Sequence, residues 1–535
     1  MKKTGEYVTI YFVGNDLRYI SIRGGFPEGA YDMRKSGILM HISSLPNDYG
    51  IGKMGKEAYE FVDFLVKAKQ SCWQILPVSP TSYGDSPYQS FSTHAGNPYF
   101  IDFEQLEEDG YLKAEDYKDV KWGEAKDKVD YGIIYENIFK VLRIAHKRFR
   151  KNPAKGFAKF VIENRDWVYD YGLFMALKDA HDGKGWYEWE ESLKMRKGKA
   201  VKQASKEYAE DIDFWCFVQY EYFRQWKKLK KYANDHGVRI IGDIPIYCAY
   251  DSVDVWCQPE YFYLDKNRKP VEVAGCPPDD FTADGQLWGN PVYRWDIIAK
   301  DKYRWWIERI RSAFEIYDTV RIDHFRGFES FYCIPYGAKN ARKGHWSKGP
   351  DMKLFKAVSR SLGELDIIAE DLGFLTKKVN KMLDAAGYPG MKVLEFGFGS
   401  GADNGYLPHN YKTANSVCYT GTHDNETILG WAKSADKETL DQCRKYLNVK
   451  RDIDIPWAMI RLCWSSICDT AVTQMQDLLG LGNDARMNTP STVGENWKWR
   501  LDDMERLDDK LAERLAELTE IYGRAPAVEK KDKEK

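Results

Sequence analysis

Three short apolar runs share one design, and they constrain the fold of the chain more than any other feature. Each run ends in carboxylates followed by a turn: residues 318–328 contain Asp323, residues 366–373 contain Glu370, and residues 416–427 contain Asp424. Helical patterns separate the runs. When parallel strands alternate with helices, the carboxyl ends of the strands gather at one face of a barrel. We therefore expect the three acidic residues to share a site.

The run around Asp323 alternates apolar and charged side chains. Val320 and Ile322 alternate with Arg321 and Asp323, a period of two residues that is typical of a β-strand. Residues two apart on a strand face the same side, so the Arg321 guanidinium is predicted beside the Asp323 carboxylate. Such a neighbour favours the ionised, oriented carboxylate that a nucleophile needs. The alternative interpretation is a structural ion pair at the end of a strand.

Five further apolar runs complete a predicted set of eight strands. Four of them are residues 36–42, 72–78, 238–247 and 391–395, and the eighth strand is predicted at residues 484–490. Helices are predicted at residues 56–69, 134–149, 167–180, 211–236, 302–317, 351–362, 375–386, 456–479 and 501–518. The alternation predicts an α/β fold, a (β/α)₈ TIM barrel with large, mostly helical insertions and no C-terminal β-sandwich domain.

The 535 residues also leave room for segments outside the barrel. We assign the barrel to residues 36–525, with insertions at about 79–236, a loop followed by a helical subdomain, and at 250–300, where residues 274–291 form a Gly/Pro loop. Residues 1–35 are an extension of unknown role, for which a hairpin, an extra strand and an early start codon are open alternatives. Residues 526–535 are predicted to be a charged, disordered tail.

Charge and cysteine spacing exclude several classes of function. A formal net charge of −2, with basic residues spread throughout, argues against nucleic-acid binding. No run approaches the roughly 20 apolar residues of a membrane span. The ten cysteines lack Cys-x-x-Cys pairs, so they are predicted to be free thiols of a cytoplasmic protein. His41, His94, His324 and His423 show no ligand spacing, and we predict no metal and no cofactor.

Aromatic residues make up 15% of the chain, an excess that fits a sugar-binding protein although most rings will lie in the core. Two long loops carry rings near the predicted strand ends. We expect these rings to stack on an acceptor sugar: Tyr88, Phe91, Tyr99, Phe281 and Trp288.

Five runs together resemble the 4-α-glucanotransferase family, also called amylomaltase or disproportionating enzyme (glycoside hydrolase family 77). They are residues 86–90 (SPYQS), 285–291 (GQLWGNP), 320–327 (VRIDHFRG), 369–373 (AEDLG) and 422–427 (THDNET). The similarity extends from about residue 36 to residue 500, and residues 1–35 fall outside it. Each run alone is a weak signal, whereas the combination is specific.

The resemblance implies a retaining double displacement that moves segments of α-1,4-glucan from a donor to the 4-OH of an acceptor glucose or maltooligosaccharide. It assigns Asp323 as the nucleophile, Glu370 as the general acid/base, and Asp424 as the third carboxylate, which grips sugar hydroxyls. This chemistry requires the first two carboxyl groups about 5 Å apart and a raised pKa on the acid.

The resemblance also implies a set of residues that hold the sugars around these carboxylates. The set is Tyr88, Asp243, Trp288, Asn290, Arg321, His423 and Asn488. For His324, direct contact with the sugar and a supporting role are both open, and we favour the supporting role. An α-glucan hydrolase of the α-amylase clan is one alternative, because it would share the three carboxylates and differ in its acceptor loops. A non-catalytic glycan-binding protein is another, although a binder needs no acid/base pair. Monomer and homo-oligomer both stay open.

Overall fold

The computed structural model describes residues 9–13, 16–20, 34–82, 84–278, 282–373 and 375–526 of the chain. The predicted stacking ring Phe281 and nearly all of the predicted disordered tail lie outside the described residues. Near the amino terminus, residues 9–13 and 16–20 pair as an antiparallel hairpin, which is one of the three alternatives for this segment.

The strands of the described chain form a hairpin, a four-stranded sheet and an eight-stranded sheet. They are β1 (Thr9–Val13), β2 (Asp16–Ile20), β3 (Lys35–Leu39), β4 (Cys72–Gln74), β5 (Arg239–Ile244), β6 (Glu272–Cys276), β7 (Gln286–Pro291), β8 (Thr319–Ile322), β9 (Ser330–Pro335), β10 (His345–Lys348), β11 (Ile367–Ala369), β12 (Gly390–Val393), β13 (Ser416–Tyr419) and β14 (Thr470–Gln474).

The α-helices lie between these strands and after the last one. They are α1 (Lys56–Lys67), α2 (Phe103–Glu108), α3 (Tyr131–Phe149), α4 (Phe157–Glu163), α5 (Val168–Ala180), α6 (Glu191–Lys194), α7 (Gly198–Glu207), α8 (Ala209–Asp235), α9 (Val253–Cys257), α10 (Trp295–Lys300), α11 (Arg304–Ile316), α12 (Met352–Leu362), α13 (Lys377–Ala386), α14 (Ile428–Ser434), α15 (Lys437–Leu447), α16 (Ile455–Ser465), α17 (Met475–Leu478) and α18 (Asp509–Ile521).

The eight-stranded sheet is the predicted barrel. Its strands run in the order β11, β8, β5, β4, β3, β14, β13, β12, and every neighbouring pair is parallel. The Ala369 N–H at the end of β11 donates to the Pro389 carbonyl, just before β12, at 2.9 Å. This bond joins the two edges of the sheet, so the barrel is nearly closed and the (β/α)₈ fold is confirmed. The strand ends therefore face one another across a single rim.

The predicted eighth strand is wrong, because the last barrel strand is β14. Residues 470–474 lie inside the predicted helix 456–479, which in fact ends at Ser465. Val472 is buried, and β14 pairs on both sides, with β3 and β13. Its residues (TAVTQ) are mostly buried and show no alternation of apolar and polar side chains, so the segment reads as a continuation of the preceding helical pattern. The predicted strand 484–490 begins inside a 3₁₀ turn, Asn483–Ala485.

The predicted Gly/Pro loop at residues 274–291 is also wrong in part. Residues 272–276 and 286–291 are strands β6 and β7, which pair with each other in an antiparallel sheet ordered β10, β9, β6, β7. We call this four-stranded unit the side sheet. Gly275 is required there because a Cβ at this position would lie 2.1 Å from the Gln286 carbonyl oxygen. The side sheet carries Trp288 and stands beside the barrel rim.

Helices α2 to α8 lie between β4 and β5, in the part of the chain that we assign to the first insertion. Helix α8 is the longest of them, and α5 packs along it. All ten cysteines are free thiols, as predicted. Among the described residues, no helix combines the length and the apolar character needed to cross a membrane.

Candidate active site

Asp323 and Glu370 directly follow two neighbouring strands of the barrel. Strands β8 and β11 pair in parallel with Ile322 opposite Ala369, so Asp323 and Glu370 are the next residues on each strand. The Glu370 N–H donates to the Ile322 carbonyl at 3.1 Å, and the Phe325 N–H donates to the Glu370 carbonyl at 3.1 Å. The backbone ladder thus continues past both carboxylates and holds them side by side.

Arg321 lies beside Asp323, as the alternation of the sequence predicted. Its Nη1 is 3.2 Å from Asp323 Oδ1, and the same guanidinium ion-pairs with Asp243. Burial nevertheless raises the pKa of Asp323 to about 6, with the charges of Asp243 and Asp424 adding to the rise and Arg321 opposing it. Arg321 lowers the pKa of Asp323, as expected, but the net pKa of Asp323 is still raised because burial has the larger effect. Asp323 still exposes 29% of its side chain, which leaves an approach for a substrate.

Glu370 is anchored by two backbone N–H groups. His324 N–H donates to Oε2 at 2.7 Å, and Leu372 N–H donates to Oε1 at 2.8 Å. Burial and then repulsion from Asp323 raise the pKa of Glu370 to about 7, against the opposing effects of Arg321 and the two N–H groups. Because this pKa exceeds that of Asp323, Glu370 keeps its proton at a pH at which Asp323 is ionised, as a general acid beside a nucleophile must.

His324 contacts the site through its backbone, since its N–H donates to Glu370 Oε2. It has a left-handed backbone conformation, with φ of 52°, at the turn that follows β8. Burial lowers the pKa of its imidazole to about 3, so the ring is neutral. The ring contacts Trp288 edge-on, with 4.8 Å between centroids. His324 therefore links the nucleophile loop to the side sheet.

Asp424 lies in the loop between β13 and α14 and is held from several sides. Asn488 Nδ2 donates to Asp424 Oδ1 at 2.6 Å, and the Arg486 guanidinium donates to the Asp424 carbonyl at 2.6 Å. His423 Nε2 is 3.4 Å from the same Oδ1. The side chain remains 45% exposed, so a fixed carboxylate faces the cleft. Asn488 reaches it from a loop after α17, not from a strand end.

A second hydrogen-bonded chain supports the Asp424 loop from behind. Asn425 Oδ1 accepts from the N–H and the hydroxyl of Thr422, both at 2.9 Å. Asn425 Nδ2 in turn donates to Glu395 Oε1 at 3.1 Å. Burial raises the pKa of Glu395 to about 8, so this carboxyl is mostly protonated at neutral pH. Thr427, the last residue of the THDNET run, caps α14 by accepting from Gly430 N–H.

Tyr88 and His423 form an aromatic wall of the site. Their rings stack with centroids 5.1 Å apart and an interplanar angle of 16°. The Tyr88 hydroxyl donates to Asp243 Oδ2 at 2.7 Å, and the Arg321 guanidinium forms an ion pair with the same carboxylate. Asp243 is buried, so it positions Tyr88 and Arg321 and presents no open face to a sugar. Burial lowers the pKa of His423, which favours the neutral imidazole.

Trp288 and Asn290 reach the site from β7 of the side sheet. Trp288 is half-buried, and its Nε1 donates to Gln286 Oε1 at 2.9 Å. Asn290 is buried, donates to the Cys248 carbonyl at 2.8 Å and accepts from Gln89 Nε2 at 2.9 Å. Asn290 therefore ties the Gln89 loop to the barrel, and Trp288 is the member of the pair with an accessible ring.

Two of the rings expected to stack on a sugar point elsewhere. Tyr99 is buried against Tyr131, with ring centroids 6.4 Å apart. Phe91 packs on Phe174, and the Lys178 ammonium lies 4.7 Å from its centroid. Both rings belong to the packing of the helical region, since large aromatic side chains gain more from burial than from exposure in a cleft.

Two residues that complete the site, Trp497 and Arg486, were not predicted from the sequence. Trp497 packs against Tyr88 and His423, with centroids 5.8 and 5.9 Å away. Arg486 fixes the Asp424 backbone. Each lies more than 60 residues from its partner along the chain, and no local pattern signals such a contact. The one available hint is that Arg486 stands two residues before Asn488.

Comparison with known proteins gives matches along nearly the whole chain. The family described as 4-alpha-glucanotransferase matches residues 40–506. A 4-alpha-glucanotransferase of Clostridium butyricum is 48% identical over 487 residues, covering 91% of this chain and 100% of the relative. One of Streptococcus pneumoniae is 49% identical over 494 residues, covering 92% and 97%. The solved amylomaltase from Streptococcus agalactiae in complex with acarbose has a TM-score of 0.90 at 43% identity, covering 92% of this chain and 100% of that one.

Proposed function

Because the chain belongs to the 4-alpha-glucanotransferase family, we propose that it transfers α-1,4-glucan segments by a retaining double displacement at Asp323, Glu370 and Asp424. The glucan transfer activity itself follows from the family. The residues, the covalent intermediate and the acceptor position are the proposal. The observation that supports it best is the placement of Asp323 and Glu370 at adjacent, paired strand ends with Glu370 the weaker acid.

In the first step, Asp323 attacks the anomeric carbon of the donor while Glu370 gives its proton to the departing glycosidic oxygen. The new bond joins Asp323 to the donor sugar, and the shortened glucan leaves with a free 4-OH. Arg321 fixes the orientation of Asp323 during the attack. Its positive charge also favours the ionised form of Asp323.

In the second step, the now anionic Glu370 takes the proton from the 4-OH of an acceptor glucose or maltooligosaccharide. The acceptor oxygen attacks the anomeric carbon and releases Asp323, which restores both carboxyl groups. Two inversions give net retention. Asp424, held by Asn488, is placed to accept hydrogen bonds from sugar hydroxyls as the ring flattens. Tyr88 and Trp288 offer ring faces for the apolar faces of glucose units.

Transfer is favoured over hydrolysis when the acceptor is held and water is not. A bound hydroxyl gains from proximity and orientation, for which effective molarities of about 10⁵ M or more are known. The hydrolase alternative is not favoured, because the full-length relatives are transferases. A non-catalytic binder would have no use for two carboxyl groups with pKa values raised to about 6 and about 7. The ten free thiols support the further proposal of a cytoplasmic location.

An activated donor separates the proposed roles of the two carboxyl groups. Fluoride leaves from an α-glucosyl fluoride without a proton, so Glu370→Gln is expected to cleave it and Asp323→Asn is not. In the absence of acceptor, Glu370→Gln should accumulate a glycosyl ester on Asp323, detected by mass spectrometry of the digested protein. The exposed Glu364→Gln serves as the matched control and keeps wild-type turnover. A glycosyl ester on Glu370 in the Asp323→Asn variant, or no ester on Asp323 in the Glu370→Gln variant, would contradict the proposal.

A further inference from the structure

Three side chains with metal-binding atoms converge on the side sheet, away from the carboxylates of the active site. They are Glu272 on β6, Cys333 on β9 and His345 on β10. One ligand atom of each lies within 4.8 Å of the other two. The cluster is not visible in the sequence, because Glu272 stands 61 residues before Cys333 and His345 stands 12 residues after it, which matches no ligand spacing.

The strand register brings the three side chains to one face of the sheet. Cys333 lies opposite His345 on one side and opposite Ala274 on the other. Glu272 is two residues from Ala274, so it points to the same face and sits diagonal to Cys333. Hydrogen-bonded strands on both sides of β9 fix these positions. The cluster is therefore organised by the backbone before any ligand binds.

The spacing is close to that of a tetrahedral metal site. With bonds of about 2.0–2.3 Å to zinc, neighbouring ligand atoms of a tetrahedron are about 3.3–3.6 Å apart. His345 Nδ1 and Glu272 Oε1 are already 3.6 Å apart. The three ligand atoms all lie within 4.8 Å of one another, so small side-chain rotations would bring them to the distances of a tetrahedral site. Imidazole, thiolate and carboxylate are also the three donor types that zinc takes in proteins.

We propose that Glu272, Cys333 and His345 form a binding site for a zinc-type divalent cation, with a fourth position left to water. Cys333 is buried, Glu272 exposes 21% of its side chain and His345 exposes 57%. The exposed imidazole gives the ion an entry path from solvent. The buried sulfur supplies the inner ligand, which water reaches least.

Binding at this site exchanges a proton for a metal ion. Cys333 is a buried free thiol, and a thiol must lose its proton to ligate zinc. When zinc binds, the S–H bond breaks, the sulfur electron pair forms the Zn–S bond, and the proton passes to the solvent. Zinc keeps its +2 charge, and no electron is transferred. Affinity should therefore rise with pH.

The bound ion would stabilise the side sheet and take no part in glucan transfer. It would join β6, β9 and β10, and β9 begins two residues after the 3₁₀ turn Phe325–Phe328 that follows the nucleophile. The same sheet carries Trp288 on β7. Since the ion binds only the folded sheet, zinc should raise the thermal midpoint of the protein in proportion to the logarithm of its concentration.

Metal titration of the full chain tests the site directly. After stripping with a chelator, we expect calorimetry to show one zinc bound per chain and about one proton released in buffers of different ionisation enthalpy. Cobalt(II) should bind with a sulfur-to-metal charge-transfer band in the near ultraviolet. Cys333→Ser, His345→Ala and Glu272→Gln should each weaken binding by more than about tenfold, since even an outer-sphere partner contributes about 10–100-fold.

The controls separate this site from unspecific binding to thiols. Cys276→Ser changes another cysteine of the same sheet and should leave zinc affinity and the cobalt band unchanged. His345 is exposed, so His345→Ala is expected to fold even if Cys333→Ser does not. Zinc binding that is unaffected by His345→Ala, a cobalt complex without the sulfur band, or loss of binding in Cys276→Ser would each overturn the proposal.

Discussion

The backbone N–H of His324 donates a hydrogen bond of 2.7 Å to the carboxyl group of Glu370. His324 directly follows the proposed nucleophile, so the turn that presents Asp323 also fixes the proposed proton donor. The two carboxyl groups therefore share one backbone framework, and a change in either loop should affect both chemical steps.

The pH dependence of transfer should be bell-shaped and narrow. Burial raises the pKa of Asp323 to about 6, with the charges of Asp243 and Asp424 adding to the rise, and burial and repulsion from Asp323 raise the pKa of Glu370 to about 7. Below about pH 6 the nucleophile gains a proton, and above about pH 7 the acid loses its own, so kcat/KM should fall on both sides. With a fluoride donor, Glu370→Gln should lose the alkaline limb of its cleavage step and keep the acidic limb. An unchanged alkaline limb in this variant would assign it to another group.

Tyr88→Phe should separate the hydroxyl of Tyr88 from its ring. The variant loses the bond to Asp243 and leaves a buried carboxylate with one partner fewer, for which we expect a loss of about 1–3 kcal/mol in the free energy of unfolding. The ring still stacks on His423, so transfer should persist at a reduced rate. Denaturant unfolding and steady-state kinetics check the two effects. Tyr88→Ala provides the comparison, because it should also raise KM.

Glu395 is predicted to act on Asp424 through position and not through charge. Because its pKa is raised to about 8, it is mostly neutral at pH 7, and Glu395→Gln should keep the oxygen that accepts from Asn425. Glu395→Ala removes that partner and should loosen the Asp424 loop, lowering kcat about tenfold or more with little change in KM. Equal losses in the Gln and Ala variants, or a loss confined to KM, would contradict a positioning role.

The barrel and its carboxylates were predictable from sequence because both are local features. A strand that ends in an acid is visible within about ten residues, and the (β/α)₈ fold brings the carboxyl ends of its strands to one rim. Arg321 beside Asp323 follows from the two-residue period of a strand in the same way. The net pKa of Asp323 was not predictable, since it depends on burial and on Asp243 and Asp424, which come from other strands.

The parts that sequence reasoning missed depend on contacts between distant residues. Strand β14 is short and covered on both sides, so it carries no alternation that would distinguish it from the neighbouring helix α16. The side sheet pairs β6 with β9, and no hairpin turn joins these two strands. Trp497 reaches Tyr88 from more than 400 residues away. Only the assembled fold places such pairs together.

Removal of residues 1–30 should leave glucan transfer intact, provided that Arg34 is kept. The Arg34 guanidinium donates to the carbonyl groups of Tyr522 at 2.8 Å and Trp464 at 3.1 Å. It thereby fastens the start of β3 to the end of α18 and to α16. A chain that starts at residue 31 is expected to match the full chain in kcat/KM and melting temperature. A chain that starts at 31 and carries Arg34→Ala should melt at a lower temperature, and a soluble but inactive truncation would show that the first residues complete the cleft.

The products of maltotriose should show that transfer dominates hydrolysis. The rings of Trp288 and Tyr88 are only partly buried, and aromatic contacts contribute about 1 kcal/mol each beyond the area they bury. A held acceptor hydroxyl then outcompetes water through proximity, so glucose and a ladder of longer maltodextrins should form while total reducing ends stay constant. Trp288→Ala should lower transfer more than hydrolysis and raise the ratio of reducing ends to long products, whereas Trp346→Ala, at an exposed ring on β10 outside the site, should not. A steady rise of reducing ends in the wild-type protein, with no product longer than maltotriose, would identify a hydrolase instead.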